Sequence, residues 1–212
     1  MFPLSDSSIL IKLGDAIDPL INQRVHALAA QLSLNPLSGV VETVPGYATL
    51  VVHYDPLVRN QAEITDWLAA QLNSNAESAL RAPRRVEIPV IYNGPDLAFV
   101  AEHCHLKVAD VIRIHSGTEY AVYMMGFMPG FPYLGKLPES LSTPRLATPR
   151  SYVPAGSVAI AGGQTGIYPV DSPGGWQLIG HTSLLLHDAR REPPFLLAPG
   201  DTVRFIPEQG GA

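Results

Sequence analysis

Hydrophobic periodicity divides the first eighty residues into strand-like and helix-like segments. Apolar and polar residues alternate over 9–13, which predicts a half-buried strand. Asp18 followed by Pro19 predicts the start of a helix, because an aspartate cap and a proline in the first turn both suit a helix N-terminus. Two β-branched and aromatic runs over 40–54 predict a hairpin, and Asn60 with a glutamate three residues later predicts a second helix. The predicted order is β-α-β-β-α, an open sheet that can recruit one more strand.

Short strand patterns separated by glycine and proline dominate the rest of the chain. A strand at 86–92 and two helices at 96–104 and 108–116 come first. The later strand-like segments are 120–127, 157–161, 176–179, 183–187 and 202–206. Many short strands with Gly and Pro turns predict a closed or nearly closed β-barrel.

These two patterns predict a protein of the α+β class with two domains. Residues 73–85 lack periodicity and end in a proline and arginines, so we place the interdomain linker at about 73–85. The predicted domains are an N-terminal α/β open-sheet domain at 1–80 and a β-barrel domain at 81–212.

Composition and charge narrow the partners that this chain can bind. It has 212 residues, 46% of them hydrophobic and 16% charged, with a single cysteine, which excludes a disordered chain and a disulfide-stapled miniprotein. The net charge of -5 arises within the first eighty residues, and no basic cluster is longer than Arg84 and Arg85. Nucleic acid and membranes are therefore not expected partners. The N-terminus lacks a basic and apolar signal segment, so we expect a cytoplasmic protein.

Two glycine-containing turns are the most unusual features of the second half. The run 161–169 can turn backbone N–H groups inward to hold an anion or a carbonyl oxygen, with Gln164 and Thr165 as polar contacts. The alternative is a tight barrel corner, where glycine only permits the bend. The next turn presents Trp176 beside a glutamine, although a lone tryptophan is commonly part of the core.

Arg145 and Arg150 are the only charged residues between positions 140 and 170. A guanidinium in so apolar a stretch requires a carboxylate, phosphate or carbonyl partner. A bound anion would supply one. The alternative is an internal ion pair, with Glu119 or Asp171 as the partner.

Proton transfer, metal binding and phosphate binding have unequal support in the sequence. The best-placed titratable groups are His115, at the end of a predicted helix, and His181, after the Gly-Trp-Gln turn. No metal site is expected, because the consecutive His-Cys-His at 103–105 points in different directions on a helix. The Gly-x-x-x-x-Gly-Lys spacing at 130–136 lacks the hydroxyl residue and the helix that follow in a phosphate loop.

Five segments of the second half together resemble the KipI-like family, which comprises the B subunits of 5-oxoprolinase and is also called allophanate hydrolase subunit 1. The segments are GFMPGFPYLG at 126–135, RLATPR at 145–150, VPAGSV at 153–158, GGQTGIYP at 162–169 and SPGGWQLIG at 172–180. The resemblance runs through most of the chain and is densest from 115 to 205. It implies an N-terminal α/β domain followed by a cyclophilin-like β-barrel.

The resemblance also implies an activity and its partners. It implies ATP-dependent opening of 5-oxoproline (pyroglutamate) to L-glutamate by a multi-subunit amide-bond hydrolase. This chain would pair with a KipA-like C subunit of 5-oxoprolinase, work with a LamB/YcsF-like A subunit, and be inactive alone. ATP would be used by the complex, at a site that this chain does not reveal. No Met-Lys-Met biotin acceptor occurs, so no biotin is expected on this chain.

The candidate site follows from the resemblance and the two unusual turns. Donors to the developing charge on the lactam oxygen would be the two arginines and the backbone amides of 162–166. The expected catalytic residues are His115 and Arg145. The expected substrate-binding residues are Arg150, Gly163, Gln164, Thr165, Tyr168, Trp176, Gln177 and His181.

Two other functions stay open at this stage. Some relatives resemble inhibitors of sporulation sensor histidine kinases, so a regulatory protein that binds a histidine kinase is the first alternative. A role as a subunit in urea or allophanate metabolism is the second, and it follows only from the other name of the family. The chain carries no Ser-rich amidase signature, so it is not expected to be the hydrolytic amidase itself.

Overall fold

A computed structural model describes residues 1–73 and 83–208. The chain divides into two compact units, Met1–Ala82 and Pro83–Ala212. The predicted linker at about 73–85 falls mainly on 74–82, which lie outside the described residues, so its position stays a prediction.

The first unit is a four-stranded antiparallel sheet with two helices. Its strand order is β1-β2-β4-β3. The elements are β1 (Phe2–Ser5), β2 (Ser8–Lys12), α1 (Pro19–Leu34), β3 (Val40–Pro45), β4 (Thr49–Tyr54) and α2 (Gln61–Leu72). The extra strand, β1, adds to the edge of the predicted β-α-β-β-α arrangement by pairing with β2.

Both helix starts of the first unit are confirmed. The Asp18 side chain accepts hydrogen bonds from the N–H groups of Leu20 and Ile21, at 2.9 and 3.1 Å. Asn60 and Glu63 form the reciprocal capping box, with each side chain bonded to the backbone N–H of the other. These bonds satisfy N–H groups that have no partner within the helix.

The core of the first unit is continuous between the sheet and its helices. Alternate residues of β2 and β4 are buried, which is the period-two pattern of a sheet with one covered face. They pack with the apolar faces of α1 and α2. The buried residues are Ile9, Ile11, Val25, Leu28, Leu32, Leu50, Val52, Tyr54, Ile64 and Leu68.

The second unit is a nearly closed seven-stranded barrel, as predicted. The strand order is β12-β9-β10-β7-β6-β13-β5, with only β5 and β13 parallel. Its elements are β5 (Arg85–Val90), α3 (Leu97–His103), α4 (Val108–Gly117), β6 (Glu119–Met125), β7 (Pro132–Gly135), a short 3-10 helix (Glu139–Leu141), β8 (Arg150–Val153), β9 (Ser157–Ala161), β10 (Gln164–Ile167), β11 (Ser172–Gly174), β12 (Gln177–His181) and β13 (Thr202–Pro207). Strands β8 and β11 form a separate two-stranded ribbon.

Backbone hydrogen bonds between the two ends of the strand order close the barrel. Ile91, just after β5, and His181, the last residue of β12, exchange N–H to carbonyl bonds of 2.9 Å in both directions. Gly94 N–H adds a third bond, to the carbonyl oxygen of Ile179. The predicted α+β class and the barrel are therefore confirmed.

One predicted strand is wrong and four were missed. Residues 183–187 form no strand, because His187 makes only an isolated bridge with Phe195. The missed strands β7, β8, β10 and β11 have three or four residues each, and three of them contain glycine. Segments this short carry too few side chains to show a period of two.

Strand β9 is buried on both faces and separates two apolar clusters. Val158 and Ile160 belong to the main core, which α3 and α4 help to cover. Ala159 and Ala161 belong to a smaller aromatic cluster that includes Phe131, Tyr168 and Trp176. This second cluster forms the base of the pocket described below. None of the described helices is long and apolar enough to cross a membrane.

Candidate functional site

An aromatic pocket of about 280 Å³ opens above this second cluster. Phe131 lies at its centre, with ring centroids 5.0 Å from Tyr133, 5.2 Å from Tyr168 and 5.5 Å from Trp176. All three pairs meet edge to face, the preferred geometry for aromatic rings. The lining residues are Phe127, Phe131, Tyr133, Arg145, Leu146, Pro149, Tyr168, Pro173, Gly174, Gly175 and Trp176.

The rings can pack this closely because glycines lie beneath them. A Cβ added to Gly166 would lie 2.9 Å from Phe131 and 3.1 Å from Trp176, so a side chain there would displace both rings. Gly174 lies against the phenol of Tyr168 and leaves no room for a Cβ. The glycines of the family-like segments therefore shape the pocket floor and wall.

Arg145 lies at the exposed rim of the pocket, with its guanidinium carbon 5.8 Å from the ring centroid of Trp176. Two hydrogen bonds hold the backbone on either side of it. The Gln177 side chain donates to the carbonyl oxygen of Pro144 at 2.8 Å, and Leu146 N–H donates to the carbonyl oxygen of Gly175 at 2.7 Å. Among the residues that the structure describes, no carboxylate pairs with Arg145.

The charge of Arg145 reaches the phenols of the pocket. Burial raises the pKa of Tyr133 and Tyr168, because it disfavours the phenolate, and the positive charge of Arg145 opposes this rise in both residues. Tyr168 also accepts a hydrogen bond from the backbone of Trp176, which opposes the rise further. The pocket is thus an apolar cavity with one positive group at its edge.

Arg150 has an internal partner and does not line the pocket. Its guanidinium donates to Asp96 at 2.6 Å and to the carbonyl oxygen of Trp176 at 3.3 Å. The sequence-based alternative of an internal ion pair is thus correct for Arg150, but neither suggested carboxylate is the partner. Glu119 pairs with Arg85, and Asp171 accepts from Tyr152 and the N–H of Ala155.

The glycine-rich run forms a barrel corner. Gly162 and Gly163 make the two-residue turn between β9 and β10, with Gly162 at a φ of 54°. The N–H of Gly162 donates to the carbonyl oxygen of Thr143 at 2.7 Å, so this amide is not free to bind an anion. Gln164 and Thr165 are the first residues of β10, and none of the residues 162–165 lines the pocket.

His115 lies in the main core, away from the pocket. It is fully buried, its ring stacks on Phe205, and its two nitrogens lie 2.8 Å from the Tyr92 hydroxyl and 2.9 Å from the Thr165 hydroxyl. Since Thr165 donates to the carbonyl oxygen of Ala159, it accepts from Nε2–H, and Tyr92 donates to Nδ1. Burial lowers the pKa of His115 to about 3, so the ring is neutral near pH 7. The expected placement of His115 at the pocket is wrong.

The two remaining candidates also lie outside the pocket lining. Gln177 is buried, and its amide nitrogen is bonded to Pro144 as described, so it supports Arg145 from behind. His181 is exposed on the closing strand, with Nε2 3.1 Å from the carbonyl oxygen of Ala155. Of the ten candidates, the structure brings Arg145, Tyr168 and Trp176 together at one pocket.

Phe127 is a pocket residue that the sequence-based search did not select. It adopts a φ of 67°, which is rare for a bulky residue, and its side chain is 62% exposed. Its ring meets the edge of Phe131 at 5.6 Å. The available signal was its position between two glycines in the GFMPGF segment, where a strained turn is expected.

Comparison with known proteins places this site in a family. Residues 1–197 match the family model of the carboxyltransferase domain, subdomain C and D. The chain is 45% identical to the B subunit of 5-oxoprolinase from Escherichia coli O157:H7, over 98% of this chain and 95% of that protein. It is 42% identical to the 5-oxoprolinase B subunit of Bacillus subtilis, over 96% and 90%. Urea amidolyase of Saccharomyces cerevisiae is more distant, at 26% identity over 95% of this chain and 13% of that protein.

Solved structures show the same fold. The crystal structure of TTHA0988 matches with 41% identity and a TM-score of 0.87, over 96% of this chain and 40% of that one, so this chain spans less than half of TTHA0988. Protein PH0987 from Pyrococcus horikoshii matches with 44% identity and a TM-score of 0.59, over 99% and 97%. With identity above 40% over nearly the full length of the B subunits and a family model over most of its own length, the chain belongs to the family of 5-oxoprolinase B subunits.

Proposed function

We propose that this protein is the B subunit of a cytoplasmic, ATP-dependent 5-oxoprolinase that opens 5-oxoproline to L-glutamate. The observation that carries the proposal is 42–45% identity, over nearly the whole chain, to proteins named as B subunits of 5-oxoprolinase. We further propose that it works with a KipA-like C subunit and a LamB/YcsF-like A subunit. The naming of those relatives as subunits supports an assembly, and the choice of partners rests on the family resemblance.

The chemistry of the substrate explains why the complex would need ATP. A five-membered lactam is a poor electrophile, and when ATP is bound it supplies the phosphoryl group that makes the lactam oxygen a leaving group. Overall, one water molecule cleaves the ring C–N bond and a second cleaves the terminal phosphoanhydride of ATP. Glutamate, ADP and phosphate are the products.

The aromatic pocket does not fit the triphosphate of ATP. Its lining contains a single charged side chain, Arg145, whereas a triphosphate needs several cations or backbone donors. The Gly-x-x-x-x-Gly-Lys segment gives no alternative, because Pro138 and a short 3-10 helix follow where a phosphate loop enters an α-helix. We therefore assign no nucleotide contacts to these residues.

Arg145 is the residue of this chain best suited to an anionic substrate. Its guanidinium lies at the rim of an apolar cavity, where a charge-assisted hydrogen bond is stronger than in water. A carboxylate or a developing oxyanion would supply the partner that this arginine lacks within the described residues.

Reconstitution tests the proposed function. Glutamate release from 5-oxoproline and ATP is measured with this chain alone, with each pair of subunits and with all three. We expect no release from this chain alone, since its sequence contains no self-sufficient nucleotide motif, and turnover with the full set. Undiminished turnover when this chain is omitted, or robust turnover by this chain alone, would contradict the proposal.

A further inference from the structure

We propose that the aromatic pocket binds 5-oxoproline itself, with the substrate carboxylate on Arg145 and the lactam ring against Trp176 and Phe131. This inference rests on the proposed function and assigns the substrate of the complex to a particular site on this chain. The argument comes from charge, shape and preorganisation.

Charge selects a small monoanion. In the described part of the second unit, five arginines pair with a carboxylate: Arg84, Arg85, Arg113, Arg150 and Arg190. Arg145 has no such partner and is the only charged side chain in the pocket lining. One cation beside an apolar cavity matches a ligand with one carboxylate and an otherwise uncharged ring.

Shape selects a compact ring. Trp176, Phe131 and Tyr133 stand nearly edge to face, at interplanar angles of 63–90°, so their surfaces form a corner rather than a flat platform. A small ring can contact the Trp176 face on one side and the Phe131 edge on the other. Phe127, which is exposed at the mouth and shared with a neighbouring apolar depression, is placed to cover a bound ring.

The structure holds these groups in place before any ligand binds. Gln177 and Gly175 anchor the backbone on both sides of Arg145, and Arg150 anchors the carbonyl oxygen of Trp176. Arg150 is itself fixed by Asp96, whose second oxygen accepts from Leu178 N–H at 2.7 Å. Preorganisation of this kind lowers the entropy cost of binding.

Tryptophan fluorescence gives a direct binding test, because the chain has only two tryptophans. A Trp67→Phe background leaves Trp176 as the single indole. We titrate the full chain with 5-oxoproline, with 2-pyrrolidinone, which has the ring without the carboxylate, and with L-proline, which lacks the lactam oxygen. We expect saturable binding of 5-oxoproline, and an affinity about 10- to 100-fold weaker in Arg145→Met, the range of a lost charge-assisted bond. The affinity for 2-pyrrolidinone should not change. Arg113→Met, an exposed arginine of α4, is the matched control.

The assembled enzyme gives a second measurement that separates this inference from the proposed function. In the reconstituted complex we expect Arg145→Met to raise the KM for 5-oxoproline by a similar factor and to leave the KM for ATP unchanged. An unchanged affinity of the isolated chain for 5-oxoproline, or an unchanged KM where the isolated chain does not bind it, would overturn the inference. A complex that is inactive with the wild-type chain would contradict the proposed function instead, and the fluorescence titration would still decide whether the pocket binds 5-oxoproline.

Discussion

His115 illustrates how a titratable residue can serve the core instead of a reaction. A chain of hydrogen bonds runs from the Tyr92 hydroxyl through the imidazole to Thr165 and the carbonyl oxygen of Ala159. Both ring nitrogens are used, so the residue has no free position for a substrate proton. Its burial without a charged partner is what lowers its pKa to about 3.

This burial predicts a pH-dependent stability. The unfolded chain binds a proton at His115 near pH 6.5 and the folded chain only near pH 3, so the unfolded state gains protons first as the pH falls. We expect the free energy of unfolding to decrease below pH 6.5 by up to about 1.4 kcal/mol per pH unit. Urea unfolding at pH 7.5, 6 and 5 measures it. His115→Phe should be less stable at pH 7.5 and lose this slope, whereas exposed His103→Phe should keep it. An equal slope in His115→Phe would refute the assignment.

The two arginines show where residue-level prediction stopped. Both stand in the same uncharged stretch, and no local pattern separates them. The difference is made by Asp96, which lies 54 residues before Arg150 and meets it only because α3 packs against β12. Arg145 has no such neighbour among the described carboxylates. An ion pair across that separation depends on the tertiary fold, which side-chain spacing does not report.

At the scale of elements, local signals predicted local structure well. The N-cap at Asp18, the capping box at Asn60 and the hairpin near Pro45 each depend on residues within a few positions of one another, and all three are confirmed. Strands β7 and β10 depend instead on each other, because Thr165 pairs with Leu134. Their short, glycine-containing sequences favour turns, and only the partner strand makes them part of a sheet.

Closure of the barrel predicts the effect of a single added methyl group. At Gly94 a Cβ would collide with the backbone of Leu178 and Ile179, which cannot move without breaking β12. We expect Gly94→Ala to lower the free energy of unfolding by about 1–3 kcal/mol, the usual cost of overpacking. Gly163→Ala is the matched control, because it has open space and an ordinary φ, and it should change stability little. Chemical denaturation of both variants measures the difference, and equal stabilities would mean that the closing contact is loose.

At the scale of the whole molecule, each unit has its own core and its own share of the charge. The buried clusters of the first unit and of the barrel have no residue in common. The first eighty residues hold eight acidic and three basic residues, and the remainder holds eleven of each. The change in sequence pattern near residue 80 was visible because packing style and charge both change there. The ligand of the barrel was not visible, since the aromatic rings of the pocket come from four separate segments.

This separation of cores predicts where a protease cuts first. Cleavage between the units leaves both hydrophobic clusters whole, whereas cleavage within 86–92 would break the six-residue parallel ladder between β5 and β13. We therefore expect limited proteolysis to cut first within 73–85 and to leave a stable fragment that begins near Val86. Mass spectrometry of the early products identifies the site. Anion exchange should retain the N-terminal fragment, which carries the net negative charge, more strongly than the nearly neutral barrel fragment. A first cut inside β5 would show that the barrel edge opens more easily than its hydrogen bonds indicate.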